Sequence, residues 1–242
     1  MTPQGTELER SPLTTRGRQT QQRILGVALE MFRRRGYNDT TMREIARQAG
    51  VSLGNTYYYF RSKEHLIQGF YARSHQEHLA ACQKPLEAES DFQKRLQIVL
   101  RTKIETSQQY HRFSGLLFRT AADPSSPLSP FSPESMPVRR QATDLFAKTL
   151  HGSQIRSPKN LAAELANLLW LYQMGIILYW IHDRSTDCAK TYRLIEVTSK
   201  IVTRLIQLAG NPLFRPLTKA TLELMRDLRS DELQPDPLAL NQ

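Results

Sequence analysis

Two glycines, Gly36 and Gly50, divide the N-terminal part of the chain into short helical stretches, and these breaks constrain the fold strongly. From Ile24 to Phe32 the apolar residues recur at steps of three and four, which is the spacing of one helix face. A glycine directly after such a stretch suits the left-handed conformation that ends many helices. No segment alternates polar and apolar residues with period two for long, so we predict an all-α fold.

The second and third helices carry their own start signals. Thr41 and Glu44 form a capping box, in which the hydroxyl accepts from the Glu44 amide and the carboxylate accepts from the Thr41 amide. After Gly50, Ser52 is placed to cap a third short helix. Two short helices joined by a glycine turn are typical of a helix-turn-helix. We expect the first helix to begin near Thr20.

The rest of the chain is predicted to be a larger helical bundle, giving about nine to ten helices in all. The proline- and serine-rich stretch 123–137 is expected to be a long loop, either a plain connection or a flap over a cavity. The predicted segments are a mobile arm at 1–15, a helix-turn-helix domain at 16–65, a helical domain at 66–230 and a tail at 231–242. The bundle helices are predicted at 91–109, 112–121, 138–151, 158–183, 188–209 and 217–229.

The positive charge is concentrated near the N-terminus. The chain carries a formal net charge of +10, and residues 16–65 alone hold ten Lys or Arg against four acidic residues. Such an excess is typical of a protein that meets nucleic acid or an anionic membrane surface, although a merely basic surface is also possible. The apolar stretch 168–181 is too short for a comfortable membrane span and favours a core or interface helix.

No catalytic or metal motif is visible. GxSxG, HExxH and phosphate-cradling glycine loops are all absent, so we predict no enzyme, no catalytic residues, no metal and no cofactor. The histidines at 65, 75 and 78 are expected on a solvated helix face. Cys82 and Cys188 lie far apart, which indicates reduced thiols in a cytoplasm and leaves a redox input as a minor alternative. The N-terminus has no apolar secretory segment.

The stretch 20–67 resembles the DNA-binding domain of the TetR family of transcriptional regulators. The resemblance rests on three motifs in order: "ILGVALEMFRRRGY", "TTMREIARQAGVS" and "GNTYYYFRSKEHL". It covers about fifty of 242 residues, and the remainder matches no particular subfamily. The resemblance implies a regulator that binds double-stranded DNA as a homodimer.

The start of the third helix has the short polar side chains that a recognition helix needs at base edges. Asn55 could pair with adenine, and Leu53 or the Thr56 methyl could contact a thymine methyl. Gly54 costs about 1 kcal/mol relative to alanine in a helix, which is consistent with a close approach of backbone to DNA or with a relaxed turn. Phe60 is expected to face the core.

By resemblance, Tyr57 and Tyr58 donate hydroxyls to phosphates, Lys63 supplies a phosphate cation, and Thr40 or Thr41 contacts the same strand. Arg16 and Arg18 are expected to precede the first helix, where they could enter a minor groove or form a solvated tail. The full predicted DNA-binding set is Arg16, Arg18, Thr40, Thr41, Arg43, Ser52, Leu53, Gly54, Asn55, Thr56, Tyr57, Tyr58 and Lys63.

Two long apolar helices near the C-terminus are predicted to form the homodimer interface, which agrees with the family resemblance. The predicted interface residues are Leu168, Leu171, Ile177, Leu194, Val197, Ile201, Leu205 and Leu208. A dimer would predict a pseudo-palindromic operator.

The C-terminal bundle is expected to hold a small apolar or amphipathic effector that shifts the dimer between two states. The candidate lining residues are Phe113, Phe118, Trp170, Met174, Trp180 and His182, although an aromatic at helical spacing is as readily a core residue. The sequence thus indicates a repressor released by an effector. Activation by the same fold remains an alternative.

Overall fold

The computed structural model describes residues 14–155 and 162–209, apart from the side chains of Arg112, Phe113, Leu116 and Ala162. The described residues form nine α-helices and no strands, which confirms the all-α prediction. The helices are α1 (Thr15–Arg35), α2 (Met42–Gln48), α3 (Leu53–Tyr59), α4 (Lys63–Glu87), α5 (Phe92–Ser107), α6 (His111–Ala121), α7 (Met136–His151), α8 (Ala162–His182) and α9 (Ala189–Ala209). The predicted helix at 217–229, the tail and most of the arm lie outside the described residues.

The chain divides into two compact units after Phe70, within α4. In the first unit, α1 packs against α2, and α2 packs against α3. Its core is built from the apolar faces of these helices and the start of α4. The fully enclosed side chains of that core include Ile24, Ala28, Phe32, Ile45, Leu66 and Ile67.

The predicted start of α1 near Thr20 was wrong. Thr14 caps the helix by accepting from the Gly17 amide at 3.1 Å, so the helix begins at Thr15. Arg16 and Arg18 therefore lie in the first turns of α1 instead of preceding it. They project from a regular helix, and their spacing to residues further along α1 is fixed.

The turn signals of the helix-turn-helix are confirmed. The capping box is complete, with the Glu44 amide donating to Thr41 Oγ1 and the Thr41 amide donating to Glu44 Oε2. Gly36 has φ +93° after α1, and Gly50 has φ +64° in the turn between α2 and α3. Both values lie where a side chain would be strained, so glycine sets the direction of the chain at each turn.

The second unit has a core formed mainly by α5, α7, α8 and α9. Helix α8 packs against α7, and α9 packs against both α5 and α8. The core includes Leu96, Leu100, Phe146, Trp180 and Ile195, each at most 1% exposed. Within the described residues, no helix has the length and apolar character that crossing a bilayer requires.

Arg95 of α5 ties two helix ends together in this unit. Its guanidinium is buried and donates to the carbonyl oxygens of Leu86, Glu89, Lys148 and Thr149 at 2.5 to 3.0 Å. Leu86, Lys148 and Thr149 belong to the last turns of α4 and α7, where helical oxygens often lack an intrahelical donor, and Glu89 follows α4. The Lys148 oxygen also accepts from the Gly152 amide at 3.0 Å. One side chain thus supplies donors at the ends of both helices.

The predicted loop at 123–137 contains no helix before Met136, but it is more regular than expected. Four consecutive turns run from Asp123 to Ser135, each with proline in second position and each closed by an amide three residues on. Side-chain oxygens at 123, 126 and 129 also accept from the amide two residues further along. Since proline has no amide hydrogen, every backbone amide from Ser125 to Ser132 has a partner. Leu128 anchors the segment in the interior, where it is fully buried.

Candidate nucleic-acid interface

Helix α3 presents one exposed face. Four exposed residues share that face: Gly54, Asn55, Tyr57 and Tyr58. Tyr58 is four residues from Gly54 and three from Asn55, and Tyr57 is three from Gly54, and such spacings place side chains on one side of a helix. The Asn55 amide donates to the Ser52 hydroxyl at 3.0 Å, which caps the helix and leaves the Asn55 carboxamide directed outward. No heavy atom lies within 4 Å of where a Cβ on Gly54 would stand. Nothing in the described protein therefore requires a glycine at this position.

Thr56 does not belong to that face, and the expectation that its methyl contacts thymine was wrong. It is fully buried, and its hydroxyl donates to the Ser52 carbonyl at 3.1 Å. Thr56 holds α3 against the domain, because it lies on the side opposite the exposed residues.

A polar groove of about 500 Å³ lies on one side of α3. Four of its residues come from α1, two from the glycine turn and one from α3. The lining residues are Arg16, Gln19, Thr20, Arg23, Gly50, Val51 and Asn55. Sequence reasoning missed Gln19 and Arg23, whose helical spacing from Arg16 would have placed them together had the start of α1 been known.

A second groove of about 340 Å³ lies on the other side of α3. It is lined by Asn38, Thr40, Thr41, Met42, Arg43, Leu53, Tyr57 and Lys63. The Lys63 ammonium donates to the Tyr37 carbonyl oxygen at 2.8 Å and lies 4.4 Å from the centre of the Tyr37 ring. An ammonium has three donors, so this fixed position leaves donors for a further acceptor. Asn38 was not predicted.

Of the two threonines at this groove, only Thr41 is exposed. Thr40 is fully buried and donates its hydroxyl to the Gly36 carbonyl at 2.8 Å, so the expectation that its hydroxyl contacts a phosphate was wrong. The Thr41 hydroxyl is within 2.8 Å of Glu44 Oε2.

The three consecutive tyrosines differ in exposure. Tyr57 and Tyr58 are 46% and 52% exposed, which is unusual for large aromatic side chains. Tyr59 is half-buried, with its ring edge-on to Tyr58 at 5.0 Å, and Phe60 is buried in the core as predicted. The Tyr57 ring lines the groove that holds Lys63.

The three arginines at the end of α1 pair with carboxylates, unlike the cations that line the two grooves. Arg33 and Arg34 form ion pairs with Glu30, and Arg35 lies 3.5 Å from Glu44. None of these arginines lines either groove. The groove cations and the helix-end cations are therefore separate sets.

Two family models match the chain. The model described as "Bacterial regulatory proteins, tetR family" matches residues 24–69, and the model described as "Tetracyclin repressor-like, C-terminal domain" matches residues 95–223, more than half of the chain. The chain belongs to the TetR family of transcriptional regulators. Its first unit is the DNA-binding domain of that family.

Curated relatives agree over the same N-terminal part. The HTH-type transcriptional regulator SrpR of Pseudomonas putida is 41% identical over 69 residues, which are 28% of this chain and 29% of that protein. The HTH-type transcriptional regulator QacR of Staphylococcus aureus is 51% identical over 45 residues, 19% of this chain and 24% of that protein. The chain spans less than half the length of the curated relatives it matches.

A solved TetR-family structure from Syntrophomonas wolfei shares the fold of both parts. It is described as a TetR-family transcriptional regulator, and it superposes with a TM-score of 0.60 at 16% identity, covering 77% of this chain and 95% of that one. At that identity the likeness is one of fold.

The residues predicted at a TetR-family dimer interface lie on α8 and α9. Leu168, Leu171, Val197, Ile201, Leu205 and Leu208 are 38% to 59% exposed. Ile177 and Leu194 are half-buried against the core. Leu178 and Tyr179 are also exposed, at 39% and 41%, and were not predicted.

The two tryptophans among the predicted effector residues have different neighbours in the described structure. Trp170 is buried beside the Phe131 ring, whereas Trp180 is buried beside His111 and donates to Gln108 Oε1 at 3.0 Å. The other candidates differ in exposure. Met174 is half-buried, Phe118 and His182 are exposed, and the Phe113 side chain lies outside the described atoms.

Both cysteines are buried free thiols. Burial raises the pKa of Cys82 to about 12, so it forms little thiolate near neutral pH. Among the described side chains, no three His, Cys, Asp or Glu residues gather as metal ligands would.

Proposed function

We infer that this TetR-family protein is a repressor that binds a pseudo-palindromic operator as a homodimer and is released by a small-molecule effector. The observation that carries the proposal is the exposed face of α3 between two polar grooves. A recognition helix in a major groove has a phosphate backbone on each side, so cations and hydroxyls are needed on both flanks.

In this arrangement Asn55 and Gly54 meet base edges, while the flanks hold phosphates. Arg16 and Arg23 supply cations to one strand, and Lys63 supplies a cation to the other. Gly54 allows close approach, since nothing in the free domain occupies the space beside it. Phosphate contacts position the helix, and base contacts select the sequence.

Selection of duplexes from a random pool by the purified full chain tests this proposal. We expect a pseudo-palindrome one to two helical turns long, because one helix-turn-helix reads too few base pairs for a unique site. Binding that stays equal for all duplexes and disappears with salt would contradict it.

Replacing Asn55 with alanine is expected to relax sequence preference while leaving nonspecific binding intact. A good bidentate base contact contributes about 1–3 kcal/mol of discrimination, so about 5- to 150-fold of preference at one base pair should be lost. Competition binding across single-base variants of the selected duplex measures this loss. Gln48→Ala removes an exposed carboxamide outside both grooves and should change nothing. Equal weakening on every duplex would assign Asn55 to the backbone.

Replacing Arg23 or Lys63 with alanine is expected to weaken binding to all duplexes by a similar factor. Each change removes about one phosphate contact, so the slope of log K against log salt concentration should fall by about one. Binding isotherms at several salt concentrations measure this slope. Arg34→Ala, which removes an exposed cation paired with Glu30, is the matched control. An unchanged slope for either groove variant would remove that residue from the phosphate set.

Dimerisation is supported by the exposed apolar side chains of α8 and α9. These helices are adjacent, and the Tyr172 hydroxyl hydrogen-bonds Thr198 between them. Exposed leucines and isoleucines repeated along neighbouring helices mark a protein contact surface. A second copy would cover the same residues by two-fold symmetry.

Effector release is supported by the family and by the two-unit organisation. An effector that binds one dimer state more tightly shifts the population toward that state. A cytoplasmic location is part of the proposal. Activation instead of repression would depend on where the operator lies, and the buried, protonated Cys82 argues against the redox alternative.

A further inference from the structure

A buried polar cluster joins α4 to α5 within the second unit. It consists of Ser74, His75, His78 and Cys82 on α4 and Lys103 on α5, and we refer to it as the α4–α5 cluster. The four α4 residues are at most 5% exposed. This contradicts the expectation that His75 and His78 lie on a solvated helix face.

Each imidazole in the cluster has a nitrogen without a hydrogen-bond partner. For His75 it is Nε2, and for His78 it is Nδ1. His78 Nε2 lies 2.9 Å from the Val99 carbonyl oxygen, so this nitrogen carries the hydrogen and Nδ1 carries the lone pair. Burial lowers the pKa of His75 to about 4 and of His78 to about 3, so both rings are neutral near pH 7. His78 Nδ1 is thus a buried acceptor that needs a donor.

The Lys103 ammonium lacks a counter-ion among the described residues. It lies 3.4 Å from Ser74 Oγ, and no described carboxylate is within 4.0 Å of it. Glu77, which faces the same region, is engaged by Arg73 at 3.7 Å, and Glu105 is exposed. A half-buried cation without an anion in contact is partly desolvated at a cost, so the cluster is electrostatically incomplete.

The surroundings of the cluster are apolar. Cys82, Leu86, Val99 and Ile104 belong to the buried core, and Leu79 packs against it. Lys103 itself is half-buried, so the cluster reaches the surface along this side chain. A ligand here meets one cation, a few hydrogen-bonding groups and a hydrocarbon wall.

We propose that the α4–α5 cluster binds a small organic hydroxy acid, whose carboxylate pairs with Lys103 and whose hydroxyl donates to an unpartnered imidazole nitrogen. The effector that releases the protein from DNA then belongs to this class of acid, and this assignment rests on the function proposed above. A single cation matches a monoanion, and the buried acceptor on His78 matches a hydroxyl donor. An inorganic phosphate would bring more negative charge than the cluster can neutralise and no hydrocarbon for its walls.

Calorimetric titration of the full chain with 3-hydroxybenzoate and 3-hydroxyoctanoate tests the proposal, with the corresponding hydroxy amides and inorganic phosphate as comparison probes. We expect at least one hydroxy acid to bind, its amide to bind at least tenfold more weakly, and phosphate to bind more weakly than the acid. Binding of neither acid, equal binding of acid and amide, or tighter binding of phosphate would overturn the proposal.

Lys103→Met is expected to weaken binding of the acid at least tenfold. It should not lower the thermal stability of the ligand-free protein. The variant removes a half-buried cation that has no carboxylate in contact and retains the apolar stem, so failure to fold is not expected. Lys94→Met on the same helix removes an exposed ammonium and should bind as the parent does. Unchanged binding by Lys103→Met would exclude the cluster as the site.

The pH profile gives a second readout. Burial lowers the pKa of Lys103 to about 8, opposed by Cys82 and Glu77, so the ligand-free ammonium loses its proton above that pH. Affinity for 3-hydroxyoctanoate, whose aliphatic hydroxyl does not ionise in this range, should therefore decline from pH 8 to pH 10 in the parent protein. The facing groups His75, His78 and Cys82 have pKa values far outside this interval and contribute no slope. A flat profile would exclude pairing with Lys103.

The two proposals fail separately. A chain that selects a palindromic duplex but binds neither acid retains the proposed regulatory function and loses the cluster as a site. A chain that binds an acid at the cluster but selects no duplex retains the site and loses the proposed function. An acid that binds without releasing the selected duplex contradicts the effector role.

Discussion

Replacing Arg95 with methionine is expected to lower the free energy of unfolding of the second unit by about 3–5 kcal/mol. The change removes the Arg95 donors to the carbonyl oxygens of Leu86, Glu89 and Thr149, whereas the Lys148 oxygen keeps the Gly152 amide. Each buried group left unpaired costs about 1–3 kcal/mol. Water that reaches some of these oxygens would reduce the sum. Both tryptophans of the chain, Trp170 and Trp180, lie in the second unit, so their fluorescence during urea unfolding measures its stability.

A matched variant separates this role from a general effect of charge. Arg101→Met, on the same helix, removes an exposed guanidinium that lies 4.8 Å from the Tyr192 ring centre, and it should cost less than about 1 kcal/mol. Equal stability of the two variants would show that the carbonyls at the helix ends find other partners.

Gly152 provides a double-mutant cycle for the same contact. A Cβ at this position would lie 2.3 Å from Arg95 Nη2, so Gly152→Ala forces the guanidinium away from its acceptors. The alanine should therefore be destabilising in the parent chain and much less so beside Arg95→Met. Additive costs would mean that the glycine serves another purpose.

A double replacement, Ile201→Lys with Leu205→Lys, is expected to convert the protein to a monomer and to weaken operator binding by about 100-fold or more. These residues are 51% and 59% exposed and one helical turn apart on α9, at the face proposed for dimerisation. Two like charges buried at a two-fold interface would face their own copies without partners. Loss of the second half-site then removes much of the specific affinity.

Light scattering and binding to the selected duplex measure the two effects together. Phe131→Lys changes an equally exposed apolar side chain, 54% exposed, in the turn segment. Its ring packs on the buried Trp170 of α8 and is not part of the proposed dimer face, so the variant should leave the dimer intact. A double lysine variant that remains dimeric would move the interface to another surface. A monomer with full operator affinity would contradict the proposal that two copies read the site.

The local signals near the N-terminus were predictable because caps and turns are set by adjacent residues. The predicted caps and turns are present in the structure: the capping box of Thr41 with Glu44, the Ser52 cap, and the glycine turns at 36 and 50. The start of α1 was not predictable in the same way, since residues 15–20 are polar and carry no apolar period. The first turn of this helix is capped by Thr14, and nothing in the sequence distinguishes that threonine from one in a loop.

Side-chain direction within the short helices was harder to predict. Thr40 and Thr56 are polar residues in a DNA-binding motif, yet both are fully buried with hydroxyls bonded to the backbone of the domain. The two grooves beside α3 depend on how three helices meet, which periodicity does not encode. His75 and His78 were assigned to a solvated face because histidine in a polar stretch gives no sign that another helix packs against it, as α5 does at the contact of His78 with the Val99 carbonyl.

The turn segment between α6 and α7 repeats every three residues, and that period has a consequence for how the chain can change length. Each unit of serine, proline and a third residue closes its own hydrogen bond with the next serine. Adding or removing a whole unit preserves the pattern, whereas adding or removing one or two residues places proline where an amide is needed. The hydrogen-bond pattern is therefore kept only when the length of this connection changes by three residues, which is one turn at a time.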